Sequence, residues 1–330
     1  MSTADSATST ATRRTPGLVP VTETMRTTER TEEPATDHPA AAGPSGPSAP
    51  SGRGSAARAT WAFWRLLGSE LGLTFRRPRN LVMLAVLAAV PVVIGVALRL
   101  VGGSDDGMGG IIQAVAGNSL MLTFASFSFL VLLLMPVAIS VVAGDSIAGE
   151  AGGGTLRYLL AAPAGRTRLL AVKYLNAVVY AYAVTAVVAL SALLTGLVLF
   201  PAGPVTLLSG TTIPVLDGLV RIAITVGYVG AGMAALAAIA LALSTFTEVS
   251  IGAIAGTMVL VIVCQVLRAI PELGSITPYL LPTKFTNFDA VLRSPIDTGA
   301  LADGLLTFGA YILLFGTIAW ARFSGKDITS

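Results

Sequence analysis

Six stretches of this 330-residue chain, each about 18 residues or longer, contain no charged residue. A helix of about that length spans the hydrocarbon core of a bilayer. Charged residues make up 12% of the chain, against roughly 25% in soluble domains, and the six stretches lack the polar faces that buried helices of a soluble protein need. We therefore expect an all-α membrane protein whose transmembrane domain covers residues 81–322. Its six transmembrane helices are predicted near residues 81–101, 115–143, 174–200, 220–246, 249–268 and 304–321.

Two segments of different character precede the first span. Residues 1–59 are rich in Ser, Thr, Ala, Pro and Gly, a composition that cannot bury enough apolar area to fold, so a disordered cytoplasmic tail is predicted. Residues 60–80 instead predict an interfacial amphipathic helix. Its expected apolar face carries Trp61, Trp64, Leu67, Leu71 and Phe75, and it is followed by a charged stop of Arg76, Arg77 and Arg79.

The lysines and arginines are unevenly distributed between the two sides of the predicted bundle. Ten precede the first span, four lie in residues 145–173 and two follow the last span, whereas the other side holds five. By the positive-inside rule, both termini and residues 145–173 are expected in the cytoplasm, with the chain in the plasma membrane. Residues 269–303 then form the widest external segment, which is either an interfacial or re-entrant cap or a plain folded loop.

The 145–173 segment has more internal order than a simple connection needs. Leu156, Leu159 and Leu160 share one helical face, and Pro163 ends the helix because it cannot continue the hydrogen-bond ladder. Three glycines before it permit a sharp turn, and Thr155 is a suitable N-cap. A short cytoplasmic helix is therefore predicted, with Arg157 pointing away from its apolar face. That face needs a partner, which is either the bilayer surface or another protein.

The same segment resembles the permease subunits of type-2 ATP-binding-cassette exporters. In that family an acidic residue, Gly-Thr-Leu, Leu-Leu, a proline and a basic residue recur at this spacing between the second and third spans. The run RRPRNLVMLAVLAAVP is also similar to the family's entry into its first span. One difference is Gly152, where the family often has a second acidic residue. The matching positions are Asp145, Ile147, Ala148, Glu150, Gly154, Thr155, Leu156, Leu159, Leu160, Pro163, Arg166, Leu169, Leu170 and Lys173.

The resemblance implies a function and a set of site residues. The chain would be the permease subunit of an exporter, and its short helix would be a coupling helix that docks into a groove on a separate ATPase subunit. A second permease subunit, identical or homologous, would complete the transporter. Glu150 could hold the coupling helix through a charge-assisted hydrogen bond. The residues expected to couple to the ATPase are Glu150, Gly154, Thr155, Leu156, Arg157, Leu159, Leu160 and Pro163.

Several chemistries find little support in the sequence. The chain has no Gly-x-x-x-x-Gly-Lys-Ser/Thr phosphate loop, so we expect no enzyme activity of its own and place ATP and Mg²⁺ in the partner ATPase. With one histidine and one cysteine, a metal centre is improbable, and the net charge of +3 gives no reason to expect nucleic acid. No cofactor is therefore expected in this chain.

The spans themselves bear on the substrate. They carry essentially no ionisable residue, which argues against an ion-coupled carrier or an intramembrane enzyme and favours an apolar or amphipathic substrate. Polar residues of the second apolar stretch, such as Asn118, Ser119 and Ser126, either line a cavity or support helix packing. The alternative function is a non-transporting membrane anchor or a regulatory sensor.

Overall fold

A computed structural model describes residues 53–101, 118–154, 165–201, 205–206 and 211–325, except for the side chains of 53–59, 101 and 205–206. The described α-helices are α1 (Arg53–Arg76), α2 (Pro78–Val101), α3 (Met121–Leu130), α4 (Leu134–Gly152), α5 (Arg166–Leu199), α6 (Val215–Phe246), α7 (Ser250–Arg268), α8 (Leu281–Phe285) and α9 (Thr298–Ser324). Two short strands, β1 (Val205–Thr206) and β2 (Thr212–Ile213), pair antiparallel before α6.

Six of the described helices are long and apolar enough to cross a membrane: α2, α4, α5, α6, α7 and α9. This confirms the all-α class and the six apolar spans, and the chain is a multi-pass membrane protein. α6 is the central helix, with most of its side chains buried against α4, α5 and α9. α2, α7 and α9 leave most of their apolar surface exposed, as expected for helices whose outer faces meet hydrocarbon.

The second apolar stretch does not form one helix from 115 to 143 as predicted. It divides into α3 and α4, which are separated by a turn at 131–133, and α4 continues to Gly152. Pro136 lies in the first turn of α4, where its missing N–H is tolerated, so the proline favours a helix start at this point. Asn118, Ser119 and Ser126 are buried among packed side chains, and Ser126 Oγ donates to Leu122 O within its own helix, which favours the packing interpretation.

Other helix bounds also differ from the prediction. α5 begins at Arg166 rather than near 174, so the 145–173 segment is helical at both of its ends. α1 begins at Arg53 and therefore includes 53–59, which the composition had placed in a disordered tail. Three alanines in RGSAARAT give that stretch high helix propensity, which explains the early start. The rest of the predicted tail, residues 1–52, lies outside the described part of the chain.

α1 is a separate helix before the first span, and part of its predicted apolar face packs against the bundle. Leu67 and Thr74 are buried, whereas Trp61 and Trp64 are 63% and 60% exposed. Contacts from Phe63 to Arg168 and from Phe75 to Tyr180 show that α1 runs alongside the first turns of α5 in the same direction. The two tryptophans at the start of the predicted apolar face are therefore exposed, whereas Leu67 and Phe75 further along it pack against the bundle.

The 269–303 segment enters the helical bundle. It forms short 3-10 turns around α8, and the Phe285 ring lies against Gly232, near the middle of α6. Tyr311, at the middle of α9, donates to the Tyr279 carbonyl at 3.1 Å. Phe288 is fully buried. The segment thus packs against the middles of α6 and α9 rather than lying only at the surface of the bundle.

One hydroxyl joins the central helix to α4. Ser244 Oγ donates to Gly144 O at 2.7 Å and accepts from the backbone N–H groups of Ile147 and Ala148. We expect Ser244→Ala to lower the free energy of unfolding in detergent micelles by about 1 kcal/mol, since interhelical hydrogen bonds in membranes contribute about that much. Ser126→Ala is the matched control, because Ser126 is equally buried and its hydroxyl donates to Leu122 O within α3. Equal losses in the two variants would show that the interhelical bonds contribute nothing.

Candidate functional site

The residues predicted to couple this chain to an ATPase fall partly outside the described structure. Glu150 and Gly154 are described, and they lie at the point where the chain leaves α4. The 155–164 segment, with the predicted coupling helix, is not among the described residues. The predicted site residues that lie there are Thr155, Leu156, Arg157, Leu159, Leu160 and Pro163.

Glycines shape the exit from α4. Gly154 has a φ of +67°, a left-handed conformation that glycine adopts without steric cost. At Gly152 a Cβ would come within 2.7 Å of the Glu248 carbonyl oxygen. The turn between α6 and α7 therefore approaches the α4 backbone too closely for a side chain. This contact gives a physical reason for a glycine where the resembling family often has a carboxylate.

Lys173 is the centre of an ion network directly beside that exit. Its ammonium group lies 3.0 Å from Glu70 Oε2 and also forms an ion pair with Glu150 Oε1. The side chains are 4%, 13% and 21% exposed for Lys173, Glu70 and Glu150, respectively. The network joins α1, the last turn of α4 and the start of α5. A lysine this well shielded requires compensating carboxylates, and the fold supplies two.

A second ion pair extends the network towards the first span. Asp145 of α4 accepts from Arg77 Nη1 at 2.9 Å and also pairs with Arg79. These arginines were expected to act as a charged stop, and the structure shows that they also bind α4. Because Arg77 is the residue between α1 and α2, this ion pair fixes the junction of the two helices against α4.

Neutral side chains complete the wall between the two ion networks. Asn176 donates to the Thr74 hydroxyl at 2.8 Å, and Asn80 donates to the Thr74 carbonyl at 2.8 Å. Together with the charged groups these residues line a polar cleft of about 280 Å³. The described residues contain no group of three or more His, Cys, Asp or Glu side chains that could hold a metal ion. Ion pairs and hydrogen bonds at this cleft fix α1, α2, α4 and α5 to one another.

Sequence reasoning identified several members of this site without pairing them. Glu150, Asp145 and Lys173 belong to the motif that carries the family resemblance, whereas Glu70 lies outside that motif. The signal available for Glu70 was its position as the one carboxylate between residues 60 and 80. A single acidic residue in a basic, apolar helix beside a membrane indicates a buried partner.

A family model described as a protein of unknown function (DUF2705) matches residues 108–329, which is most of the chain and includes α3 to α9. No curated protein matches the chain.

Proposed function

We propose a function for this chain, which belongs to the DUF2705 family of proteins of unknown function: it is the membrane-spanning permease subunit of an ATP-driven exporter. A separate ATPase subunit would bind ATP and Mg²⁺ and supply the energy. The permease would move an apolar or amphipathic substrate out of the cytoplasm. The proposal places the chain in the plasma membrane with both termini in the cytoplasm, in agreement with the distribution of its arginines and lysines.

The observation that carries the proposal is the position of the Lys173 network. Gly154 and Gly165 flank the 155–164 segment. Glu150 lies shortly before Gly154 and Lys173 lies shortly after Gly165, and these two side chains form an ion pair. The helices on both sides of the segment, α4 and α5, are therefore joined to each other by this ion cluster, and through Glu70 to α1. A partner that displaced the segment would move α1, α4 and α5 together.

This connection suggests how work reaches the spans. ATP binding would close two ATPase subunits and shift the segment that is docked on them. Lys173 and its two carboxylates would transmit the shift into α4 and α5, while Asp145 would transmit it through Arg77 to the start of α2. The spans would then move relative to those of a second permease subunit. The largely apolar side chains of the spans support an apolar or amphipathic substrate.

Affinity purification from native membranes tests the proposal. Tagged wild-type protein is expected to co-purify with an ATPase subunit in stoichiometric amount, and Leu156→Asp/Leu159→Asp is expected to lose it by placing two charges on the predicted apolar face. The matched control is Tyr158→Asp/Ala161→Asp, which places the same charges on the opposite face of the predicted helix. Membrane insertion of each variant is checked by carbonate extraction.

The outcomes separate the candidate functions. Loss of the ATPase in the first variant only would support docking by the predicted coupling helix. An ATPase retained in both variants would keep the exporter and move the docking surface elsewhere. If wild-type protein brings down no ATPase, the exporter proposal fails, and a non-transporting anchor or regulatory protein becomes the better interpretation.

A further inference from the structure

Two of the three tryptophans of the chain, Trp64 and Trp320, lie near the first turn of α5. The indole N–H of Trp320, in α9, donates to the Thr167 hydroxyl at 3.3 Å. Trp64 packs against Phe63, whose ring lies beneath the Arg168 guanidinium. Trp61, Trp64 and Trp320 are each at least half exposed. Exposed tryptophans at one level of a membrane protein mark the interface between headgroups and hydrocarbon.

An apolar groove of about 210 Å³ begins at this level, between α5, α6 and α9. Thr167 forms its interfacial end, and Tyr174 and Ile312 lie further along it towards the middle of the spans. Its remaining lining residues are Leu170, Ala171, Ala238, Leu241, Gly316 and Ala319. In this position the groove faces hydrocarbon rather than water, and its shape suits an acyl chain.

Positive charge surrounds the interfacial end of the groove. Arg166 and Arg168 flank Thr167 in the first turn of α5, and Arg322 follows the groove residue Ala319 by about one turn of α9. Arg166 donates to the Ser324 carbonyl at 2.9 Å, which holds it against α9. Arg322 lies over the Phe246 ring, a contact that does not neutralise its charge. The charge at this end is thus complementary to an anionic headgroup.

We propose that this groove binds an anionic phospholipid, with an acyl chain along α5 and α9 and the phosphate beside Arg166 and Arg322. The site is distinct from the Lys173 network and does not depend on an ATPase partner. A lipid bound here would contact the first turn of α5, directly after the 155–164 segment. The bound lipid would therefore stabilise the position of that turn.

The test uses full-length protein purified in detergent, with phosphatidylglycerol or phosphatidylcholine of identical acyl chains added, and counts retained lipids by native mass spectrometry. Gly316→Leu fills the groove, because a Cβ at Gly316 meets nothing within 4 Å. The matched control is Gly309→Leu, about two turns earlier on the same face of α9 and equally open, but outside the groove lining. We expect Gly316→Leu to lose both lipids and Gly309→Leu to lose neither.

A second pair of variants tests the headgroup. Arg166→Gln/Arg322→Gln is expected to weaken phosphatidylglycerol retention roughly fivefold for each arginine and to weaken phosphatidylcholine retention less, because choline offsets the charge of its phosphate. Arg99→Gln/Arg268→Gln removes the same charge from the last turns of α2 and α7 and should change neither lipid. Equal retention in Gly316→Leu and Gly309→Leu would overturn the proposal. Equal retention of the two lipids by wild-type protein would also overturn it. A third contrary result would be that Gly316→Leu keeps its lipid and instead loses association with a second copy of the chain.

Discussion

Lys173→Met is expected to lower the free energy of unfolding by about 3–5 kcal/mol, because it removes the cation from a largely buried ion cluster and leaves two carboxylates without it. Glu70 and Glu150 are both mostly shielded from water, so solvent compensates poorly for the lost ammonium group. Methionine keeps most of the volume of the lysine stem, so the loss reports on charge rather than on a cavity. The measurement is equilibrium unfolding in detergent micelles by SDS titration.

A charge-neutral background separates unpaired charge from lost packing. Lys173→Met/Glu70→Gln/Glu150→Gln removes all three charges and is expected to recover most of the lost stability, since replacing a whole buried ion cluster is often nearly neutral. Arg293→Gln is the control for an exposed pair, because Arg293 and Asp297 lie 3.9 Å apart with 69% and 41% of their side chains exposed. Its loss should stay within about 0.5 kcal/mol. Wild-type stability in Lys173→Met would contradict the assignment of a buried ion network.

The apolar spans could be predicted from the sequence because hydrocarbon imposes one simple requirement. A spanning helix must be long and nearly free of charge. Each of the six uncharged stretches between Leu81 and Ala321 meets this requirement. The helix ends were harder to place. α5 begins at Arg166, well before the uncharged stretch at Tyr174, because Arg166 and Lys173 find partners on other helices. The predicted spans therefore stopped at charged residues, although the helices continue through them.

The candidate site was only partly predictable for a related reason. The motif around Glu150 could be read along the chain, but the partners of Lys173 include Glu70, 103 residues away. Nothing in local spacing pairs those two residues, since the pairing depends on how α1 packs against α5. Which part of the apolar face of α1 would pack against the bundle was unpredictable for the same reason. Trp64 and Leu67 share the predicted apolar face, yet Leu67 is buried and Trp64 is exposed.

Two glycines of α9 show an aspect of side-chain packing that the sequence alone does not reveal. Gly304 and Gly309 lie on the same helix, α9, in similar apolar surroundings. A Cβ on Gly309 would meet nothing within 4 Å, whereas one on Gly304 would overlap the Tyr228 hydroxyl. Only the structure distinguishes a glycine required by close approach from one that a larger residue could replace, and the difference has a measurable consequence.

Gly304→Ala is expected to lower the free energy of unfolding by about 2–4 kcal/mol, which combines overpacking with a lost hydrogen bond. The new methyl group must displace the Tyr228 ring, which is fully packed against Phe308 at a centroid distance of 5.2 Å. The displaced hydroxyl can no longer donate to the Lys284 carbonyl, 2.8 Å away. Because Lys284 belongs to α8, amide hydrogen exchange across 281–292 should accelerate together with the loss of stability.

A double-mutant cycle identifies the source of the effect. Tyr228→Phe removes the hydroxyl that the new methyl group overlaps, so Gly304→Ala/Tyr228→Phe is expected to be more stable than Gly304→Ala alone, although Tyr228→Phe by itself costs about 1 kcal/mol. Gly309→Ala should stay within about 1 kcal/mol of wild type and can gain stability through helix propensity. Additive losses in the cycle would show that Tyr228 and Gly304 do not interact. A coupled cycle with faster exchange across 281–292 would instead show that close packing of α6 against α9 holds residues 281–292 in the bundle.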